Sequence, residues 1–205
     1  MVEILFSFCF ATTVLALSPG PDNIYVLLQS ITHGTKYGLA TVYGLISGCI
    51  FHTTLIAFGV SALIKANDSI YIGLKIIGAC YLLYLAYNVY TSSAQIELNE
   101  DAVPKKTTRQ LFKQGVLMNI LNPKVSLFFL AFFPGFLFSE SLSKVLQFYV
   151  LGGLFMLVSL IIFSTIAVLS GSISSALREK KNLGVMLKWL QIVVFVGIAV
   201  FILVG

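Results

Sequence analysis

The sequence predicts an all-α polytopic membrane protein of six transmembrane helices, arranged as two inverted three-helix repeats with helices 1 and 4 broken. Three observations carry this. Of the 205 residues, 58% are hydrophobic and only 10% charged, more apolar surface than a soluble domain of this size can hide. The apolar runs are long and continuous, unlike the short alternating segments of a transmembrane barrel. Two polar clusters containing proline, Ser18-Pro19-Gly20-Pro21-Asp22-Asn23 and Asn122-Pro123-Lys124, interrupt those runs about half a chain apart.

Six spans can be drawn, at roughly 4–32, 37–64, 69–90, 111–138, 144–169 and 184–204. Each reaches the ~20 residues needed to cross a hydrocarbon core, and the longer ones have room to tilt or break. The chain begins Met1-Val2-Glu3 with no basic n-region, so the first run is expected to stay on the protein as a span. The polar stretch at 92–108 divides the chain into halves of about 1–91 and 109–205, and a second charged connection lies at 172–183. Neither is long enough for a separate domain, so residues 1–205 read as a single membrane domain.

Orientation follows from the basic residues. The loops after spans one, three and five carry Lys36, then Lys105, Lys106, Arg109 and Lys113, then Arg178, Lys180, Lys181 and Lys188. The other side carries Lys65 and Lys144, with Lys75 if it snorkels outward. Those three loops are therefore expected in the cytoplasm and both termini outside. The net charge of +5 sits in these loops and reads as topology, not as a nucleic-acid footprint. Cys9, Cys49 and Cys80 are isolated in apolar runs and read as packing residues. His33 and His52 show no ligand spacing, so no metal or cofactor is expected.

The breaks hold the chemistry. Pro19 and Pro21 cannot donate backbone hydrogen bonds and should end one helix. Ser18 is a candidate N-cap for the next, with Gly20 giving the backbone freedom at the break. Asp22 and Asn23 then fall in the first turn of a half-helix whose positive dipole end faces mid-membrane. In the second break, Asn122 reads as an N-cap, Pro123 as the first helical residue, and Lys124 lies too deep for easy snorkelling.

Asp22 and Lys124 are the one deep acid and the one deep base. In an inverted repeat they should approach each other near a pseudo-two-fold axis. Two readings compete: a structural ion pair, or a polar cavity for a zwitterion, with Asp22 on the ammonium and Lys124 and the helix N-termini on the carboxylate.

Ser18-Pro19-Gly20-Pro21-Asp22, then Gly34 and Gly38, then Gly115-x-x-x-Asn119-x-x-Asn122-Pro123-Lys124, resemble the lysine exporter / homoserine-threonine resistance (LysE/RhtB) family. The likeness covers the whole chain. It implies a secondary transporter in the bacterial cytoplasmic (inner) membrane that exports amino acids or close derivatives by proton antiport and alternating access.

Other features are weaker. Gln29 lies seven residues after Asp22 on one helical face with Tyr25 between them, a candidate polar path or a hydrogen bond to a neighbouring helix. Asn119, three residues before Asn122, carries the same ambiguity. His52 reads first as a hydrogen-bonded packing residue and second as a proton-coupling group. Gly44-x-x-x-Gly48 reads as a close-packing face, while Gly34-x-x-x-Gly38 crosses a turn. Trp189 beside Lys188 reads as an interface anchor.

The expected partners are a small zwitterionic amino acid, protons and the lipid bilayer. The small-residue faces permit a homodimer without requiring one. The alternatives are a passive channel or structural membrane subunit and, behind these, a membrane-embedded enzyme. The enzyme reading lacks paired cysteines, and Ser47 and His52 are poorly spaced for a nucleophile and its base.

Overall fold

A computed structural model describes residues 2–18, 20–62, 68–92, 104–179 and 181–204, with backbone alone at 68–71, 74, 177–179 and 181–183. Pro19 lies outside the described residues, as do Lys65 and Lys180.

Helices account for almost all of the described chain. The first expected span is two helices, α1 (Val2–Leu17) and α2 (Pro21–His33), bent by 59° at the break. Gly34 follows with φ 102°, a left-handed value that glycine adopts without strain, and its N–H closes α2 on the Ser30 carbonyl at 3.0 Å. α3 (Thr35–Leu55) continues through a π-helical turn, Ile56–Val60. α4 (Asp68–Thr91) ends the first half.

A second bent pair follows in the rest of the chain. α5 (Thr108–Leu121) starts at a capping box in which the Gln110 N–H donates to Thr107 Oγ1 at 3.3 Å and the Thr107 N–H donates to Gln110 Oε1 at 2.9 Å. It breaks at Asn122 into α6 (Pro123–Phe132), which tightens into a 3₁₀ turn, Phe133–Phe136, and the two parts are bent by 52°. α7 (Lys144–Val168) follows. The connection expected at 172–183 is instead mostly helix, α8 (Ser170–Glu179), and α9 (Lys181–Val204) starts three residues earlier than its apolar run. The polar and charged residues there hide the helix from a hydropathy reading, because α8 has its apolar residues on one side only.

Among the described residues, three helices are long and apolar enough to cross a membrane, and up to five spans result if each bent pair is counted as one. The chain is thus an all-helical, multi-pass membrane protein.

α3 is the hub. It packs most extensively on α5 and also lies against α7 and α2, while α4 packs on α9 and α6, and α1 on α7. Small residues allow the closest of these contacts. A Cβ at Gly44 would run into the Phe112 carbonyl, and one at Gly115 into the Thr41 carbonyl, so α3 and α5 touch backbone to backbone. The close-packing reading of Gly44 and Gly48 therefore has a named partner, α5.

The main core is aromatic. Phe128, Phe129, Phe132, Phe133 and Phe136 succeed one another at helical spacing, with ring centroids 4.4 Å apart for Phe128–Phe132 and 4.2 Å for Phe129–Phe133. Phe8 from α1 packs edge-on to Phe133 at 5.0 Å, and Phe155 from α7 meets Phe129 at 4.8 Å. α6 is therefore clamped between α1 and α7 beyond the break. In a lipid solvent this close fit, rather than burial from water, holds the helices together.

Substitution separates the tight glycine from the loose one. Gly44→Val should lower the thermal unfolding temperature in detergent, at a cost of about 1–3 kcal/mol. Gly153→Ala, where an added Cβ meets nothing within 4 Å, should leave that temperature within a degree or so of wild type.

Candidate functional site

The first break is a gap closed by side chains. The Ser18 N–H still bonds to the Val14 carbonyl at 3.0 Å, so Ser18 finishes α1. The N-cap of α2 is Gly20 (φ −155°, ψ 175°), without a side-chain cap bond. This corrects the expectation that Ser18 would cap. Pro21 takes the first helical position, so the capping position falls on the residue just before it. Ser18 is buried two residues too far back, its hydroxyl unpartnered among the described residues. The last turn of α1 is completed from across the gap, where Asn23 Nδ2 donates to the Ala16 carbonyl at 2.7 Å.

In the second break one residue serves both helices. Asn122 (φ −75°, ψ 107°) is the C-cap of α5 and the N-cap of α6, and its Oδ1 accepts from the Lys124 N–H at 3.0 Å. Pro123 occupies the first helical position, where a missing N–H costs nothing. The Asn122 side chain has its amide nitrogen left over, and Nδ2 donates to Asp22 Oδ2 at 2.9 Å. This bond joins the two breaks across 100 residues of sequence.

Asp22 is 7% exposed. It shares a cavity with Lys124, but among the described residues no ion pair joins the two within 4 Å, and the carboxylate is held by Asn122 instead. Lys124 Nζ lies 5.1 Å from the centroid of the Phe195 ring on α9, a cation–π contact. It also reaches the opposite break, since a Cβ at Gly20 would sit 3.6 Å from it.

The cavity is lined by Gly20, Pro21, Asp22 and Asn23 from the first break, by Asn119, Asn122 and Lys124 from the second, and by Cys49 of α3 and Ser159 and Phe155 of α7. Its volume is about 40 Å³. A water needs roughly 10–15 Å³ of such space, so there is room for a few waters and none for an amino acid. Anything larger enters only if the helices part.

The other sequence-identified residues divide. Asn119 lines the cavity, with Nδ2 on Cys49 Sγ at 3.5 Å. Gln29 is fully buried with both amide atoms unpartnered among the described residues, and like the half-buried Tyr25 it lies outside the cavity wall. His52 is hydrogen-bonded, through Nε2 to the Asn119 carbonyl at 3.1 Å, and rests against Phe129.

Among the lining residues missed from sequence, two have side-chain heteroatoms. Ser159 is an isolated hydroxyl within the long apolar run of span five, and that isolation is a usable signal. Cys49 offers none, since buried lone cysteines are ordinary packing residues.

The family model "LysE type translocator" matches residues 13–205. Two relatives, from Salmonella typhimurium and Salmonella typhi, each named homoserine/homoserine lactone efflux protein, are 29% identical over 178 residues, covering 87% of this chain and 85% of theirs. A Pseudomonas aeruginosa protein described as an uncharacterized membrane protein is 29% identical over 181 residues, 86% of this chain and 84% of its own. No solved structure matches the chain.

The dual role of Asn122 gives a stability test. Asn122→Ala removes a helix cap and leaves the Asp22 carboxylate without its donor, and should cost about 2–4 kcal/mol in unfolding measurements. Asn122→Asp keeps a capping oxygen but sets a second carboxylate against Asp22, so it should be no better than the alanine variant.

Proposed function

We propose, on the premise that this chain belongs to the LysE type translocator family, that it exports an amino acid or close derivative from the bacterial cytoplasm by alternating access. One observation carries the reading. Asn122 and Asp22 hydrogen-bond across two broken helices, at 2.9 Å, beside a small cavity that also holds Lys124. Ionisable groups beside irregular backbone at membrane depth characterise transport sites.

The relatives' names narrow the substrate. Homoserine and its lactone share an ammonium group, but only the open acid has a free carboxylate. The common contact is then the ammonium on Asp22, whose carboxylate the Asn122 amide orients through Oδ2. Lys124 and the N-terminus of α6 take the carboxylate when one is present. Asn23, its amide nitrogen engaged by Ala16, offers its oxygen. Proton exchange at Asp22 completes the cycle: a protonated Asp22 no longer attracts an ammonium ion and releases it outside.

The architecture that suits this cycle has six spans, with α4 as the sixth, in one domain of two inverted halves at about 1–91 and 109–205. Its support is the matched position of the breaks and the reciprocal packing. α5 lies on α3 as α1 lies on α7, and the pairs α4–α9 and α3–α7 map onto themselves, while α2–α3 and α4–α6 have no comparable counterpart. The basic residues at 105–113 and near the start of α9 then face the cytoplasm of an inner membrane, with both termini outside.

The test is export from loaded proteoliposomes at matched protein density. Asp22→Asn and Lys124→Ala should each reduce homoserine export by about 10–100-fold, and collapsing the proton gradient should abolish accumulation. A passive channel would keep its flux without the gradient. Robust export by both variants would refute the site.

A further inference from the structure

Pro123 has no N–H, so the carbonyl four residues earlier, that of Asn119, loses the helical donor it would otherwise have. A carbonyl at this depth has no bulk water to turn to. Two groups replace the missing donor: the Asn122 N–H at 3.1 Å, from within the break, and His52 Nε2 at 3.1 Å, from α3. Only the second comes from another helix.

We infer that His52 is a positioning residue for the transport site, the clamp that fixes the second break against α3 and so sets where Asn122 presents its amide to Asp22. Several observations converge on this. His52 is 2% exposed and is held edge-on by Phe51 at 5.6 Å and tilted against Phe129 at 5.5 Å, so its ring has little freedom to turn. Its acceptor belongs to Asn119, whose side chain lines the cavity and lies against Gly48 so closely that a Cβ there would come within 2.7 Å. From Asn119 to Asn122 the chain makes a single turn, and Asn122 then meets Asp22.

The first break has a comparable device in Asn23, which donates to Ala16. There the donor belongs to the broken span itself. At the second break it comes from α3, so the position of the break is tied to the helix that packs on both α5 and α7. The role needs an N–H donor at one point in space and no change of charge. It assigns His52 to geometry, not to proton transfer.

Glutamine can place an N–H near the Nε2 position of histidine, and leucine cannot. This gives a test that rests on the proposed transport activity, together with a second that does not. In proteoliposomes at matched protein density, His52→Leu should raise the KM for homoserine by about tenfold, while His52→Gln should stay within about threefold of wild type. A KM unchanged in His52→Leu, or raised as much in His52→Gln as in His52→Leu, would overturn the assignment.

The independent measurement is thermal unfolding of purified protein in a double-mutant cycle with Pro123→Ala, which restores an N–H able to serve the Asn119 carbonyl. The destabilisation by His52→Leu should be clearly smaller when Pro123→Ala is already present than in the wild-type background. Equal destabilisation in both backgrounds would overturn the clamp even if transport behaves as proposed. Absence of homoserine transport in the wild type would refute the functional reading and leave the clamp to this cycle.

Discussion

A helix that breaks inside a membrane leaves carbonyls without donors, and hydrocarbon supplies no substitute. Most of what distinguishes this chain follows from meeting that constraint at two places at once. At the first break Asn23 reaches back to the Ala16 carbonyl. At the second, His52 and the Asn122 N–H converge on the Asn119 carbonyl. Each repair fixes a polar side chain in position, and Asn122, already the cap of α6, then has one amide nitrogen to direct at Asp22. The buried carboxylate is partnered because the backbone defects are repaired.

The aromatic core gives these repairs something rigid to work against. The Phe128–Phe136 ladder on α6 and its 3₁₀ turn is wedged between Phe8 and Phe155, so the helix beyond the second break cannot slide independently. On the other side of the break, α3 and α5 touch at Gly44 and Gly115 with no side chain between them. The cavity lies where these two tightly packed regions meet. Its volume is about 40 Å³. A wider cavity would require a change of angle at one or both breaks, because neither the aromatic wedge nor the backbone contact can yield gradually.

Some of this was legible in the sequence because its causes are local. Proline marks its own helix break, asparagine before proline marks a cap, and Gly44 and Gly48 mark a close face. The family likeness rested on the same residues, and the family model covers residues 13–205. Ser18 misled because two prolines lie close together and the capping position follows the second. The hydrogen-bond partner of Asp22 was not legible for a different reason. Charge suggested Lys124, but Asn122, already fixed by its capping bond, offered a hydrogen bond of good geometry at 2.9 Å. The His52 bond spans 67 residues, the Asn122–Asp22 bond 100, and nothing short of the packed fold shows either. α8 was hidden by its own polarity.

The central claim is that the two breaks form one binding site. The most direct test is homoserine affinity for the purified protein by titration calorimetry, in wild type, Asp22→Asn, Asn122→Ala and the double variant. The account predicts strong coupling: once Asp22→Asn has removed the carboxylate, adding Asn122→Ala should change affinity much less than it does alone. Fully additive losses would mean that the two breaks act separately and would contradict the account.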